Sequence, residues 1–273
     1  MYGIVTRNEP ELDWEPFDRA FYEVKSPSGR HVDPVEGAVN AVSCHGDTAT
    51  AEADPSLVPV DADGTPATRE RRAFDWGYVC PAAEDYREGL RHVVETCADV
   101  SPDVRLDDVG FPRPEYCHCE RCEAAFETSP HDDWWDWRES VVVDFLRDVR
   151  EAVPGDLSLA VHPDPYPDHL RRRSGAGLDA LEPLVDEVIV PLYDTAYETT
   201  YWLEAIASGF ADALDGRLAV ELYAVDVDVD ALVTATAVAE TYADAVYFGY
   251  DASNARAAIR RKRADEREGR SYP

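Results

Sequence analysis

From about residue 157 onward, short apolar runs alternate with longer amphipathic stretches. The β-rich runs are Leu157–Pro163, Glu187–Asp194, Leu218–Ala224 and Ala245–Asp251. Between them the apolar spacing turns helical, over Leu178–Val185, Tyr197–Leu214 and Val229–Tyr242. Strands that alternate with helices predict βαβ units and a parallel sheet. The pattern extends upstream. Glu84–Cys97 and Arg138–Val153 read as helices, the second with Val142, Phe145, Leu146 and Val149 on one face, and Val104–Val109 reads as the strand between them. Val39–Cys44, Phe21–Lys25 and Gly3–Thr6 supply three more strands. Eight strands predict a (β/α)8 TIM barrel over residues 1–262, with shortened N-terminal βα units and a frayed tail at 263–273. The stretch from Gly46 to Gly77 is long, acidic and rich in Pro and Gly, as expected of a functional or disordered loop.

Side chains alternate faces along a strand. In Val104–Asp107 the aliphatic Val104 and Leu106 take one face, and Arg105 and Asp107 the other. Glu221 and Tyr223 likewise oppose Val220 and Leu222, and Ser158, Ala160 and His162 share a face. The aliphatic faces should meet the helices, which turns the polar faces into the barrel. Unpaired buried charge is costly, so Asp107, Glu221 and His162 are expected together at the C-terminal mouth, where barrel enzymes keep their chemistry. Asp108 should face away, capping a loop or binding Arg113.

Four cysteines add a second kind of chemistry. Cys117, Cys119 and Cys122 stand at C-x-C-x-x-C spacing, and Cys80 offers a fourth sulfur from a distant loop. Four thiolates close a tetrahedral zinc site with no vacancy for water, so the metal would be structural. Buried or disulfide-paired cysteine is the plainer alternative, and His118 is a possible replacement for Cys80. Cys97 reads as packing on a helix face.

Charge sets the surroundings. Acidic residues outnumber basic ones 56 to 26, for a net charge of -30, and only Lys25 and Lys262 are lysines. Such an excess is a halophile's device, and it points to a haloarchaeal, high-salt cytoplasm. No basic stripe is available for nucleic acid. No apolar run approaches the roughly 18 residues of a membrane helix, and no signal-peptide core opens the chain.

The stretch Pro55–Gly64, the pair Cys80-Pro81 with Tyr86-Arg87-Glu88, and the run Cys117-His118-Cys119-Glu120-Arg121-Cys122 resemble family-42 glycoside hydrolases of the β-galactosidase type. The likeness covers roughly residues 38–126. It implies a zinc held by Cys80, Cys117, Cys119 and Cys122, a carbohydrate substrate, and a nucleophile at Glu221. One departure stands out. The family's Asn-Glu pair at the end of strand four is absent, and Asp107, Asp108 and Val109 occupy that place.

Retaining glycosidases hold two carboxyls about 5–5.5 Å apart, and inverting ones roughly 6.5–9.5 Å apart. Asp107 is therefore the candidate general acid, its pKa raised by its neighbour, and Glu221 the nucleophile or base. His45, Arg105, His162, Tyr193, Asp194, Tyr223 and Asp251 are the candidate substrate-binding residues, through hydrogen bonds to hydroxyls and stacking on a sugar ring. The alternative is a zinc-stapled barrel without turnover that binds a carbohydrate or a protein partner. A homo-oligomer is compatible with either reading. No Gly-rich phosphate fingerprint occurs.

Overall fold

The computed structural model describes residues 1–270. Eight parallel strands close into a barrel in sequence order: β1 (Tyr2–Thr6), β2 (Arg19–Lys25), β3 (Val39–Ser43), β4 (Val104–Asp107), β5 (Leu157–Ala160), β6 (Glu187–Leu192), β7 (Arg217–Tyr223) and β8 (Ala245–Gly249). The ring closes where Tyr2 to Val5 pair with Val246 to Gly249. The helices are α1 (Thr48–Ala53), α2 (Glu84–Val100), α3 (Glu120–Thr128), α4 (Trp134–Ala152), α5 (His169–Ser174), α6 (Leu178–Leu181), α7 (Tyr201–Ala213), α8 (Val229–Tyr242) and α9 (Ala252–Arg267). No α-helix follows β1 or β2, so the first two units are indeed short. The tail behaves differently from the expectation: α9 carries regular helix on to Arg267, while 271–273 lie outside the described residues. No helix among the described residues is long and apolar enough to cross a membrane.

Strand alternation sorts the interior as the sequence implied. Val104, Leu106, Leu157, Leu159, Val220 and Leu222 face outward into the large core beneath the helices. Inside the barrel, Val5, Phe21, Val39, Ile189, Ala219, Ala245 and Tyr247 form a smaller apolar plug. Polar layers lie on either side of it. On the lower side, Glu187 accepts from Tyr247 Oη at 2.8 Å, Ser158 Oγ at 3.0 Å and Arg19 at 3.2 Å. Phe21 separates this layer from the upper one, with the guanidiniums of Arg19 and Arg105 at 5.2 and 5.3 Å from its ring centroid.

The long segment after β3 is ordered. Its backbone is tied down by Val79 N–H to His45 O at 2.9 Å, Cys80 N–H to Leu57 O at 2.8 Å and His118 N–H to Val60 O at 2.7 Å. Below it, buried Lys25 binds Asp47 at 3.0 Å and the carbonyl of Ser43 at 2.9 Å. This anchoring lets a loop rich in Gly and Pro present Phe74, Trp76 and Tyr78 to the barrel mouth.

Candidate active site

A cavity of about 800 Å³ opens at the C-terminal end of the strands. Asp107, Asp108 and Arg105 from β4 and the loop after it line it, together with Glu23 and Arg7, Tyr193, Tyr223 and Tyr250, the aromatic loop residues, His162 and Arg173. Arg105 is the centre of the charged layer. It is 2 % exposed and holds Asp107 Oδ1 at 2.9 Å on one side and Glu221 Oε2 at 2.5 Å on the other. The two carboxylates thus converge, as strand alternation required, but through a shared guanidinium.

Glu221 lies deeper than expected. It is fully buried, does not line the cavity, and is capped by a hydrogen bond from the hydroxyl of Tyr193. Burial pushes its carboxyl up, Arg105 pulls it down and Asp107 pushes it up again. The register explains the depth: Glu221 pairs with Pro191 and Tyr247, one pleat below Tyr223, whose side chain reaches the cavity.

Asp108 reverses the expectation that it faces away. Its φ of 54° is left-handed, which ends the strand alternation, and its side chain joins the cavity wall. Ser43 Oγ donates to its Oδ2 at 2.6 Å. Burial raises its carboxyl from 3.8 to about 6; the Ser43 bond opposes this and the charge of Asp107 adds to it. Gly46 makes room for the arrangement, since a Cβ there would fall 2.9 Å from Asp108 Oδ2 and 2.8 Å from Trp76 Nε1. The cavity therefore carries two adjacent carboxyls with unlike surroundings. Asp107 is paired with a guanidinium, while Asp108 faces no countercharge within ion-pairing distance among the described residues.

Of the remaining candidates, His162, Tyr193 and Tyr223 line the cavity, and Tyr193 and Tyr223 meet with ring centroids 5.4 Å apart. Burial, with the nearby arginines, holds His162 neutral at about 4. His45 does not line the cavity. It is buried against Phe145, accepts from Gly110 N–H at 3.0 Å through Nδ1, and is pushed down to about 3 by burial. Asp194 and Asp251 also leave the site: Asp194 accepts from Ala196 N–H, and Asp251 caps α9 through Asn254 N–H at 2.9 Å. Sequence reasoning missed Glu23, which binds Arg7 in two places at 2.5 and 3.1 Å, and the Phe74-Trp76-Tyr78 wall. The available signal was the proximity of these aromatics to Cys80.

The four sulfurs of Cys80, Cys117, Cys119 and Cys122 lie within 4.8 Å of one another. Cys80 Sγ is 3.8 Å from Cys119 Sγ and 3.3 Å from Cys122 Sγ. Tetrahedral zinc with bonds of about 2.3 Å places its sulfurs roughly 3.8 Å apart, so the quartet fits such an ion. The Cys119 N–H points at Cys117 Sγ at 3.4 Å. His118 turns away and stacks on Trp134, with the rings 7° from parallel. The site joins the aromatic loop to the loop after β4.

No family model and no curated protein matches the chain in sequence. Solved structures do match in shape. The glycoside hydrolase domain of PgaB (BpsB) from Bordetella bronchiseptica aligns over 97 % of each chain, with a TM-score of 0.68 and 12 % identity. The alpha-L-fucosidase isoenzyme 2 from Paenibacillus thiaminolyticus aligns over 98 % of this chain and 50 % of its own, with a TM-score of 0.69 and 12 % identity. The fold is a (β/α)8 barrel of the kind both possess.

Proposed function

We propose that this barrel hydrolyses a glycosidic bond in the cavity at its C-terminal mouth, with Asp108 as proton donor. The observation that carries the reading is an aspartic acid held near pKa 6 in the cavity wall beside Asp107, which Arg105 binds. A general acid works best when its pKa lies close to the working pH, and two carboxyls with separated affinities divide the acid and charge-stabilising roles. Asp107, fixed by Arg105, stabilises positive charge developing on the sugar ring. Glu221 is a positioning residue that holds Arg105 from below. The Phe74, Trp76 and Tyr78 wall, with Tyr193 and Tyr223 opposite, offers apolar faces for a sugar.

Zinc in the Cys80, Cys117, Cys119 and Cys122 quartet would be structural, holding the aromatic wall against the β4 loop; a closed set of four thiolates leaves it no part in the chemistry. The two shape matches bear glycoside hydrolase and fucosidase names, which supports a carbohydrate substrate without selecting one. The family-42 likeness covers roughly residues 38–126, and the acid site departs from that family. The acidic composition supports a haloarchaeal, high-salt cytoplasm.

A panel of chromogenic glycosides in molar KCl tests the reading. Turnover of at least one, lowered about 10²–10⁴-fold in Asp108→Asn, is the expected result; turnover unchanged in that variant would refute the assignment. A second reading has its own observation. Arg105 pairs with both Asp107 and Glu221, which ties up the two carboxylates that converge beneath the mouth. Sugar binding without turnover of any glycoside would favour a barrel that binds without catalysis.

A further inference from the structure

Arginines at the cavity fall into two groups. Arg7 is neutralised by Glu23, and Arg105 by Asp107 and Glu221. Arg173, at the end of α5, lines the same cavity with no carboxylate within ion-pairing distance among the described residues. Arg113, in the loop after β4, is not among the residues lining the cavity, but it too has no carboxylate within ion-pairing distance among the described residues. Its guanidinium lies over Phe74, 5.7 Å from the ring centroid, and its Nε is buried without a hydrogen-bond partner.

A third arginine ties the backbones of these two together. Arg138 on α4 is 0 % exposed and lies 4.4 Å from the centroid of Phe111. It donates to the carbonyls of Arg172 at 2.7 Å, Arg113 at 3.2 Å and Arg173 at 3.4 Å, so it buckles the β4 loop to the end of α5. The carbonyl of Ser174 then accepts from Phe111 N–H at 2.9 Å, which sets this corner three residues from Asp108.

Such a corner runs against the composition, in which acids outnumber bases 56 to 26. Burial lowers the proton affinity of Arg173, and the charge of Arg113 lowers it further. The nearest acids do not answer it: Asp164 is engaged by His169 at 3.0 Å, and Glu115 is exposed. Uncompensated charge at a half-buried site lowers stability. An anion entering the cavity would relieve it through charge-assisted, fork-shaped hydrogen bonds.

We propose that Arg173, with the charge of Arg113 behind it, makes an anion subsite, so that the glycan taken by this barrel carries an oxyanion, a uronic carboxylate or a sulfate ester, beside the scissile bond. This deepens the glycosidase reading and rests on the cavity's binding carbohydrate. Isothermal titration of the full chain separates the two claims. The probes are glucuronic acid, galacturonic acid, glucose 6-sulfate, glucose, galactose and inorganic sulfate, at low and molar KCl. Acidic sugars should bind at least about tenfold more tightly than their neutral counterparts, an advantage that fades with salt. Arg173→Gln should remove that advantage while leaving neutral-sugar affinity in place and the melting temperature equal to or above that of the wild type. Arg113→Gln should do the same, and Arg173→Lys should keep part of the preference. Whichever of uronate and sulfate ester binds more tightly identifies the oxyanion. Equal affinity for acidic and neutral sugars overturns the subsite while glycosidase activity stands. Binding of inorganic sulfate without any preference for acidic sugars also overturns it, marking an adventitious ion only. Failure of every sugar to bind removes both claims.

Discussion

Replacing Asp108 by Asn should make the protein more stable while it disables the site. The carboxyl sits at about 6 against an ordinary 3.8, and burial is the leading cause. A shift of that size corresponds to about 3 kcal/mol of unfavourable ionisation in the folded state. Asp108 is partly open to the cavity, so solvent screening reduces the expected effect to about 1–2 kcal/mol. The sign follows from linkage. Below about pH 4 both states hold the proton and the folded carboxyl costs nothing. As pH rises through 6 the unfolded chain has already ionised freely, and the folded state loses the stability it had. Asn keeps the acceptor that Ser43 Oγ uses and never ionises. Urea unfolding at pH 4 and pH 8 checks this, and the comparison cancels charge repulsion common to both proteins. Asp108→Asn should exceed wild type by about 1–2 kcal/mol at pH 8 and match it at pH 4. A variant equally or less stable at pH 8 would refute the argument that this carboxyl is buried against its charge.

Other outcomes follow from the same geometry. Glu221→Gln should lower stability by about 3 kcal/mol in urea unfolding, because it leaves the buried Arg105 with Asp107 alone. An unchanged midpoint would mean that the pair is not coupled in solution. Metal analysis should find about one zinc per chain, and a strong chelator should raise hydrogen exchange first around residues 58–80 and 112–122. Exchange that rises uniformly, or not at all, would argue against a metal bracing these loops. Ser43→Ala removes a bond that favours the ionised form of Asp108, so it should move the alkaline limb of the activity profile upward. A limb that stays in place would break that link.

Much of the fold was legible because two periodicities alternate so regularly. The outward Val104, Leu106, Val220 and Leu222 and the inward Arg105 and Glu221 follow from strand alternation alone. The cysteine cluster was legible because three ligands are spaced locally and need only one partner. What alternation cannot report is depth or where a strand stops. Glu221 is on the inner face, yet one pleat too deep to reach the cavity, and Tyr193 closes over it. Asp108 was misplaced because a left-handed residue breaks the period-two rule at the very position where the site begins. His45 left the site for a similar reason: beyond β3 the chain turns its ring into the packing against Phe145. Asp194 and Asp251 were chosen for ending strands, but their carboxylates bind backbone N–H groups of the following segments. Arg173 escaped notice because α5 is only six residues long and carries no periodic signature.

The pH dependence of kcat/KM for the best glycoside substrate reports on Asp108 itself. Turnover should fall on the alkaline side with an apparent pKa near 6, where burial places the Asp108 carboxyl. A profile flat through that range, or no turnover of any glycoside by a protein that binds sugars, would contradict it.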